Sequence, residues 1–118
     1  MEFASYLKLD GIEIASASPE LFLEKKGAVI KSTPIKGTAK TDSFGEKDRA
    51  ENVMIVDLLR NDLSKNCTPG SVNVPTLFAL ETFPNVHHLV STVIGKLSPT
   101  SSALDVLRDA FPGGSITG

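Results

Sequence analysis

Glu51-Asn52-Val53-Met54-Ile55-Val56-Asp57-Leu58-Leu59-Arg60-Asn61-Asp62-Leu63 is the stretch whose reading sets the fold. It sits inside a run, residues 46–65, that holds no proline or glycine and is too long for a strand. A helix is expected there, capped by Ser43, with the acids of its first turns favouring the positive end of the helix dipole. Ala50, Val53, Met54 and Leu58 make one apolar face. Ile55, Val56 and Leu59 extend it most of the way round, so the helix is expected to be buried between layers. Asp57, Arg60, Asn61 and Asp62 cannot all be solvated in so apolar a segment, and are expected to pair with one another and with backbone groups.

The segments on either side have strand character. Residues 3–9 and 12–17 are apolar-rich and partly alternating, and Asp10-Gly11 between them signals a tight hairpin, with positive φ expected at both residues. Residues 21–24 and 28–32 form a second pair joined across Lys25-Lys26-Gly27. Residues 33–38 are punctuated by Pro34 and Gly37 and suggest a loop, and residues 40–45 a polar, mobile link. Beyond the helix, Thr68-Pro69-Gly70 is a turn, and residues 77–83 and 87–97 are strands. In the latter, His88, Val90, Thr92, Ile94 and Lys96 share one face, while His87, Leu89, Ser91, Val93 and Leu97 share the other. Ser101-Ser102 caps a short helix over residues 103–110, with Leu104 and Leu107 facing inward. Strand pairs mixed with two helices define an α+β class.

The bulk properties narrow the function. The 118 residues make one domain at most, 41% hydrophobic and 22% charged, with a net charge of −2. That mild acidity argues against a nucleic-acid or membrane-surface partner. No apolar run approaches the ~20 residues that span a bilayer, and Met1-Glu2-Phe3-Ala4-Ser5-Tyr6 does not read as a signal peptide. Cys67 is the only cysteine, which excludes a disulfide framework and suggests a reducing, cytoplasmic setting. The chain begins in a strand and stops in a glycine-rich segment, so it is expected to be a fragment.

Five blocks carry side chains suited to chemistry: Ser18-Pro19-Glu20, Pro34-Ile35-Lys36-Gly37-Thr38, the helix stretch above, Val86-His87-His88-Leu89-Val90-Ser91 and Phe111-Pro112-Gly113-Gly114-Ser115-Ile116-Thr117-Gly118. Lys36 is either a solvated charge or, with apolar Pro34 and Ile35 before it, an amine whose pKa can fall far enough for nucleophilic attack. Glu20 is either a turn cap or a general acid, a role that needs a raised pKa. Asp48 and Glu51, three apart on one helix face, are either a solvated acidic turn or a pair of oxygen ligands for a hard cation such as Mg2+. His87 and His88 leave their strand on opposite faces, so at most one faces any given site. The Gly113-Gly114-Ser115 segment is rich in free N–H groups of the kind that cradle anions.

Taken in order, these blocks resemble the chorismate-utilising enzymes. The resemblance implies a two-layer antiparallel sheet fold flanked by helices, of which this chain would supply part. It also implies roles for particular residues. Lys36 would attack C2 of chorismate, with Glu20 protonating the departing C4 hydroxyl and His88 near the substrate ring. Gly37, Thr38, Gly114 and Ser115 would contact substrate. Glu51 would ligate Mg2+, which holds the C1 carboxylate, with Asp48 in or just outside the metal shell, where the family commonly has glutamate. A lysine at position 36 is similar to the branch that aminates chorismate at C4 on the route to 4-aminobenzoate and folate; anthranilate-forming members typically have alanine there. Ammonia would come from a glutamine amidotransferase subunit or domain. The family usually has an arginine shortly after Gly37-Thr38, whereas Ala39-Lys40 follow here. The rival enzymatic reading is an anthranilate synthase. A reading of another class is an inactive, self-associating fragment whose uncovered edges pair between chains.

Overall fold

A computed structural model describes residues 3–39, 44–83 and 86–117. The elements run β1 (Phe3–Leu9), β2 (Ile12–Ser18), β3 (Leu21–Lys26), β4 (Val29–Thr33), β5 (Ile35–Ala39), α1 (Glu46–Ser64), β6 (Asn73–Phe83), β7 (Val86–Lys96), α2 (Ala103–Ala110) and α3 (Gly114–Thr117). The class is α+β with antiparallel sheets, as the sequence implies. No helix among the described residues is long and apolar enough to cross a membrane.

The turns behave as their residues dictate. β1 and β2 pair from Leu9↔Ile12 outward around Asp10-Gly11. Gly11 carries φ of 76°, but Asp10 is not among the positive-φ residues, so only the second turn position uses glycine's freedom, contrary to the expectation for both. Leu7, Leu9, Ile12 and Ile14 of this hairpin are all exposed. β3 and β4 pair in the same way across Gly27.

β7 organises the five-stranded sheet. One of its edges pairs along β6, and the other takes β4 and β5 in succession. The register is unbroken from Val29↔Lys96 through Ser32↔Val93 to Ile35↔Val90. β4 and β5 are therefore one strand interrupted at Pro34, which has no N–H to give the ladder but accepts from the Ser91 N–H at 3.2 Å. Residues 33–38, expected as a loop, are strand for this reason. Between Ile35 and Thr38 the register slips. This bulge falls on Lys36-Gly37.

α1 starts and ends close to the expected limits, but its cap is Gly45, where Ser43 was expected; Lys40 and residues 41–43 lie outside the described residues. Its buried face is also different. Asn52, Ile55, Val56, Leu59, Asp62 and Leu63 are buried, whereas Val53, Met54 and Leu58 are exposed. The helix is covered on one side by the sheet and α2 and is touched by Gly114 beside Leu58, while Val53 and Met54 stay exposed. The core joins Ile55, Val56, Leu59 and Leu63 to Ile30, Val93, Leu97, Cys67 and Val106. Gly95 allows the close approach of Cys67, since a Cβ there would lie 2.8 Å from the Sγ. Of the polar residues late in α1, Asp62 is buried beside Lys65, while Asp57 and Arg60 form an exposed pair at 3.5 Å. Leu63→Ala is expected to lower the unfolding free energy by about 2–5 kcal/mol. Met54→Ala should stay within about 0.5 kcal/mol. Urea titration separates the two, and equal losses would contradict this helix orientation.

α2 is capped by Ser102 as expected, with Ser102 Oγ accepting from the Asp105 N–H and Asp105 accepting from the Ser102 N–H at 2.8 Å. Leu104 and Leu107, expected inward, are exposed; Val106 and Ala110 are the buried pair. Buried Asn66 ties this helix to the end of α1, donating to Asp109 Oδ2 at 2.8 Å and to the Asp105 carbonyl at 3.3 Å, and accepting from Ser101 Oγ at 3.0 Å. The Ser102 backbone N–H holds the Asp105 carboxyl below its ordinary range, and the Asn66 amide does the same for Asp109. A carboxyl depressed in the folded state stabilises it above the unfolded pKa, and that stabilisation is lost as pH falls through the folded value. Urea midpoints should therefore drop on acidification below pH of about 4. An Asp105→Asn/Asp109→Asn variant should show a shallower acid limb.

Candidate active site

The site is assembled around β5. Ser18 at the end of β2 closes a turn on Glu20, accepting its N–H at 3.1 Å and donating to its carbonyl at 3.2 Å. The turn aims the Glu20 carboxylate back at the sheet, where Oε2 accepts the Ile35 N–H at 3.1 Å. Lys36 is the next residue. An acid distant in sequence is thus fixed against the backbone that carries the lysine. Lys36 and Gly37 occupy the bulge of β5, the kind of irregularity that re-aims side chains next to active sites. The side chains of Lys36 and Thr38 lie outside the described residues.

The same turn lines a cleft of about 360 Å³ with Phe22, Phe111, Gly113 and Ile116. The terminal glycine-rich block therefore meets the Glu20 turn. A Cβ on Gly113 would come within 3.2 Å of the Phe22 ring, and one on Gly114 would collide with Leu58 and rest on Ile55 of α1. Residues 114–117 form a helical turn, where an irregular loop was expected. The Ser115 side chain and Gly118 lie outside the described residues.

His88 joins through β5 as well. It is half-buried on β7, opposite Thr38 of β5 on one side and Glu81 of β6 on the other. His87 is likewise half-buried. β5 thus links Glu20, through Ile35, to His88, through Thr38. Among the described residues, His88, Asp48 and Glu51 do not line the Glu20 cleft.

Asp48 and Glu51 are both half-buried at the start of α1. Asp48 Oδ2 accepts the Gly45 N–H at 3.1 Å, so that oxygen caps the helix and Oδ1 is the one it has to offer. Two carboxylates without a histidine or thiolate suit a hard cation that completes its shell with water or substrate. No group of three or more His, Cys, Asp or Glu side chains among the described residues is arranged to hold a metal.

Sequence reasoning missed Asn52. It is wholly buried, donating from Nδ2 to the Leu89 carbonyl at 3.1 Å and accepting from Ser91 Oγ at 2.6 Å. Ser91 Oγ in turn accepts the Phe78 N–H at 3.1 Å. The available signal was spacing: Asn52 precedes Ile55, Val56 and Leu59 at intervals of a buried helix face, and a polar side chain there needs partners.

The structure thus fixes a glutamate to a bulged strand and registers a histidine across that strand, with two carboxylates at the start of the covering helix outside the Glu20 cleft. The chain belongs to the chorismate binding enzyme family, whose model matches residues 1–118. It is 48% identical, over 98% of its length, to aminodeoxychorismate synthase component 1 of Salmonella typhimurium strain LT2, and spans 28% of that protein. It is 40% identical over 96% of its length to anthranilate synthase component 1 of Saccharolobus solfataricus strain P2, spanning 30% of it. The crystal structure of anthranilate synthase component I from Streptococcus pneumoniae TIGR4 superimposes with a TM-score of 0.80 at 32% identity, covering 95% of this chain and 27% of that one.

Glu20→Ala should free the Ile35 amide by removing the carboxyl oxygen that accepts its N–H. Its hydrogen exchange is expected to quicken roughly tenfold or more, with Glu20→Gln close to the parent. Unchanged exchange in Glu20→Ala would show that the carboxylate does not hold β5.

Proposed function

We propose that this chain supplies one portion of the active site of an aminodeoxychorismate synthase component, which aminates chorismate at C4. The observation that carries the reading is the 3.1 Å bond from the Ile35 N–H to Glu20 Oε2, because it sets a carboxyl beside the strand residue that precedes Lys36. The similarity to relatives bearing that name supports the same reading.

In this mechanism the neutral Lys36 amine attacks C2 of chorismate. The ring double bonds shift, the C4–O bond breaks, and Glu20 delivers the proton with which the hydroxyl leaves as water. The C2 nitrogen stays protonated while ammonia bonds to C4, the double bonds shift back and the C2–N bond breaks, so Lys36 departs as the neutral amine; the new C4 ammonium then returns a proton to the Glu20 carboxylate. The net change is chorismate plus ammonia to 4-amino-4-deoxychorismate plus water. A general acid of this kind is typically worth about 10²–10⁴-fold in rate. His88 lies beside the ring, and Gly37, Thr38, Gly114 and Ser115 contact substrate. Glu51, with Asp48 one turn before it, would hold Mg2+, which when bound supplies positive charge to the substrate's C1 carboxylate. A glutamine amidotransferase subunit or domain delivers the ammonia, in the cytoplasm.

The similarity to an anthranilate synthase component favours a second reading, amination at C2. Lys36 weighs against it, because a nucleophile already on C2 directs ammonia to C4. Apart from catalysis, the exposed Leu7, Leu9, Ile12 and Ile14 of the hairpin and Met54 of α1 support self-association of the 118-residue chain.

The test uses the full gene product with chorismate, Mg2+ and ammonium, and identifies products by chromatography. The parent should make 4-amino-4-deoxychorismate, Lys36→Ala should lose it, and Glu20→Gln should fall by about 10²–10⁴-fold. Anthranilate from the parent, or an indifferent Lys36→Ala, overturns the assignment.

A further inference from the structure

Asn52 is a wholly buried polar side chain of α1 that bonds the sheet across their contact. Around it on the same face are Ile55, Val56 and Leu59. Apolar contacts of that sort are non-directional and hold a helix down without fixing its slide or rotation. The bonds of Asn52 do fix them. Nδ2 reaches the Leu89 carbonyl at 3.1 Å, Oδ1 takes the Ser91 hydroxyl at 2.6 Å, and Ser91 Oγ receives the N–H of Phe78 at 3.1 Å. Phe78 is the only described non-glycine residue with positive φ, 61°, and it lies where the register of β6 slips between Thr76 and Ala79. One side chain thereby ties α1, β7 and the irregular part of β6 together.

The neighbours of the tied atoms matter more. Glu51 immediately precedes Asn52, and His88 immediately precedes Leu89. Adjacent Cα atoms are about 3.8 Å apart, so the bond from Asn52 to Leu89 pins the backbones of both. His88 is in turn registered with Thr38 on β5. We propose that Asn52 is a positioning residue: it sets the helix that carries Glu51 against the strand that carries His88, and so holds the cation-binding carboxylate in register with the substrate ring. This rests on the roles given above to Glu51 and His88. A buried asparagine that served stability alone would be replaceable by an apolar residue of similar volume; one that sets register would not.

The experiment compares Asn52→Ala with Asn66→Ala in the full gene product. Asn66 is also buried with its amide fully engaged, but it joins the far end of α1 to α2. At a temperature where circular dichroism shows both variants folded, two quantities are read: kcat as Mg2+ is titrated, and the rise in unfolding midpoint when Mg2+ is added without substrate. Asn52→Ala should lower kcat or raise the half-saturating Mg2+ concentration by roughly 10–100-fold, as loss of a group that orients a metal ligand does, and should blunt the midpoint rise. Asn66→Ala should lose stability while both readouts stay near the parent. If Asn52→Ala matches Asn66→Ala, the residue is structural and the proposal fails. Should Asn52→Ala not fold, Ser91→Ala, which removes the partner of Oδ1 together with the acceptor of the Phe78 N–H and leaves the bond to Leu89, is judged by the same criteria. Glu51→Gln separates the two layers. If it abolishes the Mg2+ response while the Asn52 and Ser91 variants keep it, the positioning role alone is wrong. If Glu51→Gln keeps the response, the reading of Glu51 is wrong, and the positioning role falls with it.

Discussion

The pair of hydrogen bonds in which Asn52 donates to the Leu89 carbonyl and accepts from the Ser91 hydroxyl is the constraint on which the rest of the arrangement depends. Ile55, Val56, Leu59 and Leu63 of α1 are buried, yet apolar contact alone leaves a helix free to shift along a sheet. A wholly buried amide with a donor and an acceptor both engaged allows one setting, because any slide strands a polar group away from water at a cost of about 1–3 kcal/mol. The same network satisfies the N–H of Phe78, a bulky residue at φ of 61°. Conformations of that kind cost of order 1–3 kcal/mol and persist only where the surroundings enforce them.

β7 is the second organising element. It is hydrogen-bonded on one edge to β6 and on the other to β4 and β5, which behave as a single strand broken at Pro34. The register is continuous until the bulge, and the bulge coincides with Lys36-Gly37. Directly before it, Glu20 accepts the Ile35 N–H; directly after it, Thr38 sits opposite His88. A local defect in the ladder of β4 and β5 with β7 is thus bracketed by a carboxyl group and an imidazole. The terminal glycines close the Glu20 side by packing against Phe22 and α1, where side chains larger than hydrogen would meet other atoms.

Features governed by local physics were legible in the sequence. Ser102 caps α2, Gly11 takes positive φ, Gly27 and Gly70 sit in turns, and α1 extends over nearly the expected span, because each depends on residues a few positions apart. Features governed by tertiary contacts were not. α1 is apolar nearly all round, so Val53, Met54 and Leu58 looked as suited to burial as Ile55, Val56 and Leu59; the position of the sheet decides between them. Leu104 and Leu107 were misplaced for the same reason, since Val106 and Ala110 meet the core. Pro34 and Gly37 suggested a loop, and only pairing with β7 makes a strand of it. The five blocks that indicated the site were evident from their residue types. That Glu20 and His88 both meet β5 required the fold, and a single polar residue such as Asn52 in an apolar run gives no sign of its partners.

The measurement that goes most directly to the central claim is peptide-level mass spectrometry of the full gene product after exposure to chorismate and Mg2+ with ammonia and glutamine withheld. Without the second nucleophile, the lysine on the β5 bulge should retain the ring, and a peptide containing Lys36 should carry the mass of chorismate less water. A variant lacking the Glu20 carboxyl should carry far less. Absence of any adduct at Lys36 in an enzyme that turns over once ammonia is restored, or an adduct at another residue, would contradict a site built around β5 with Lys36 as its nucleophile.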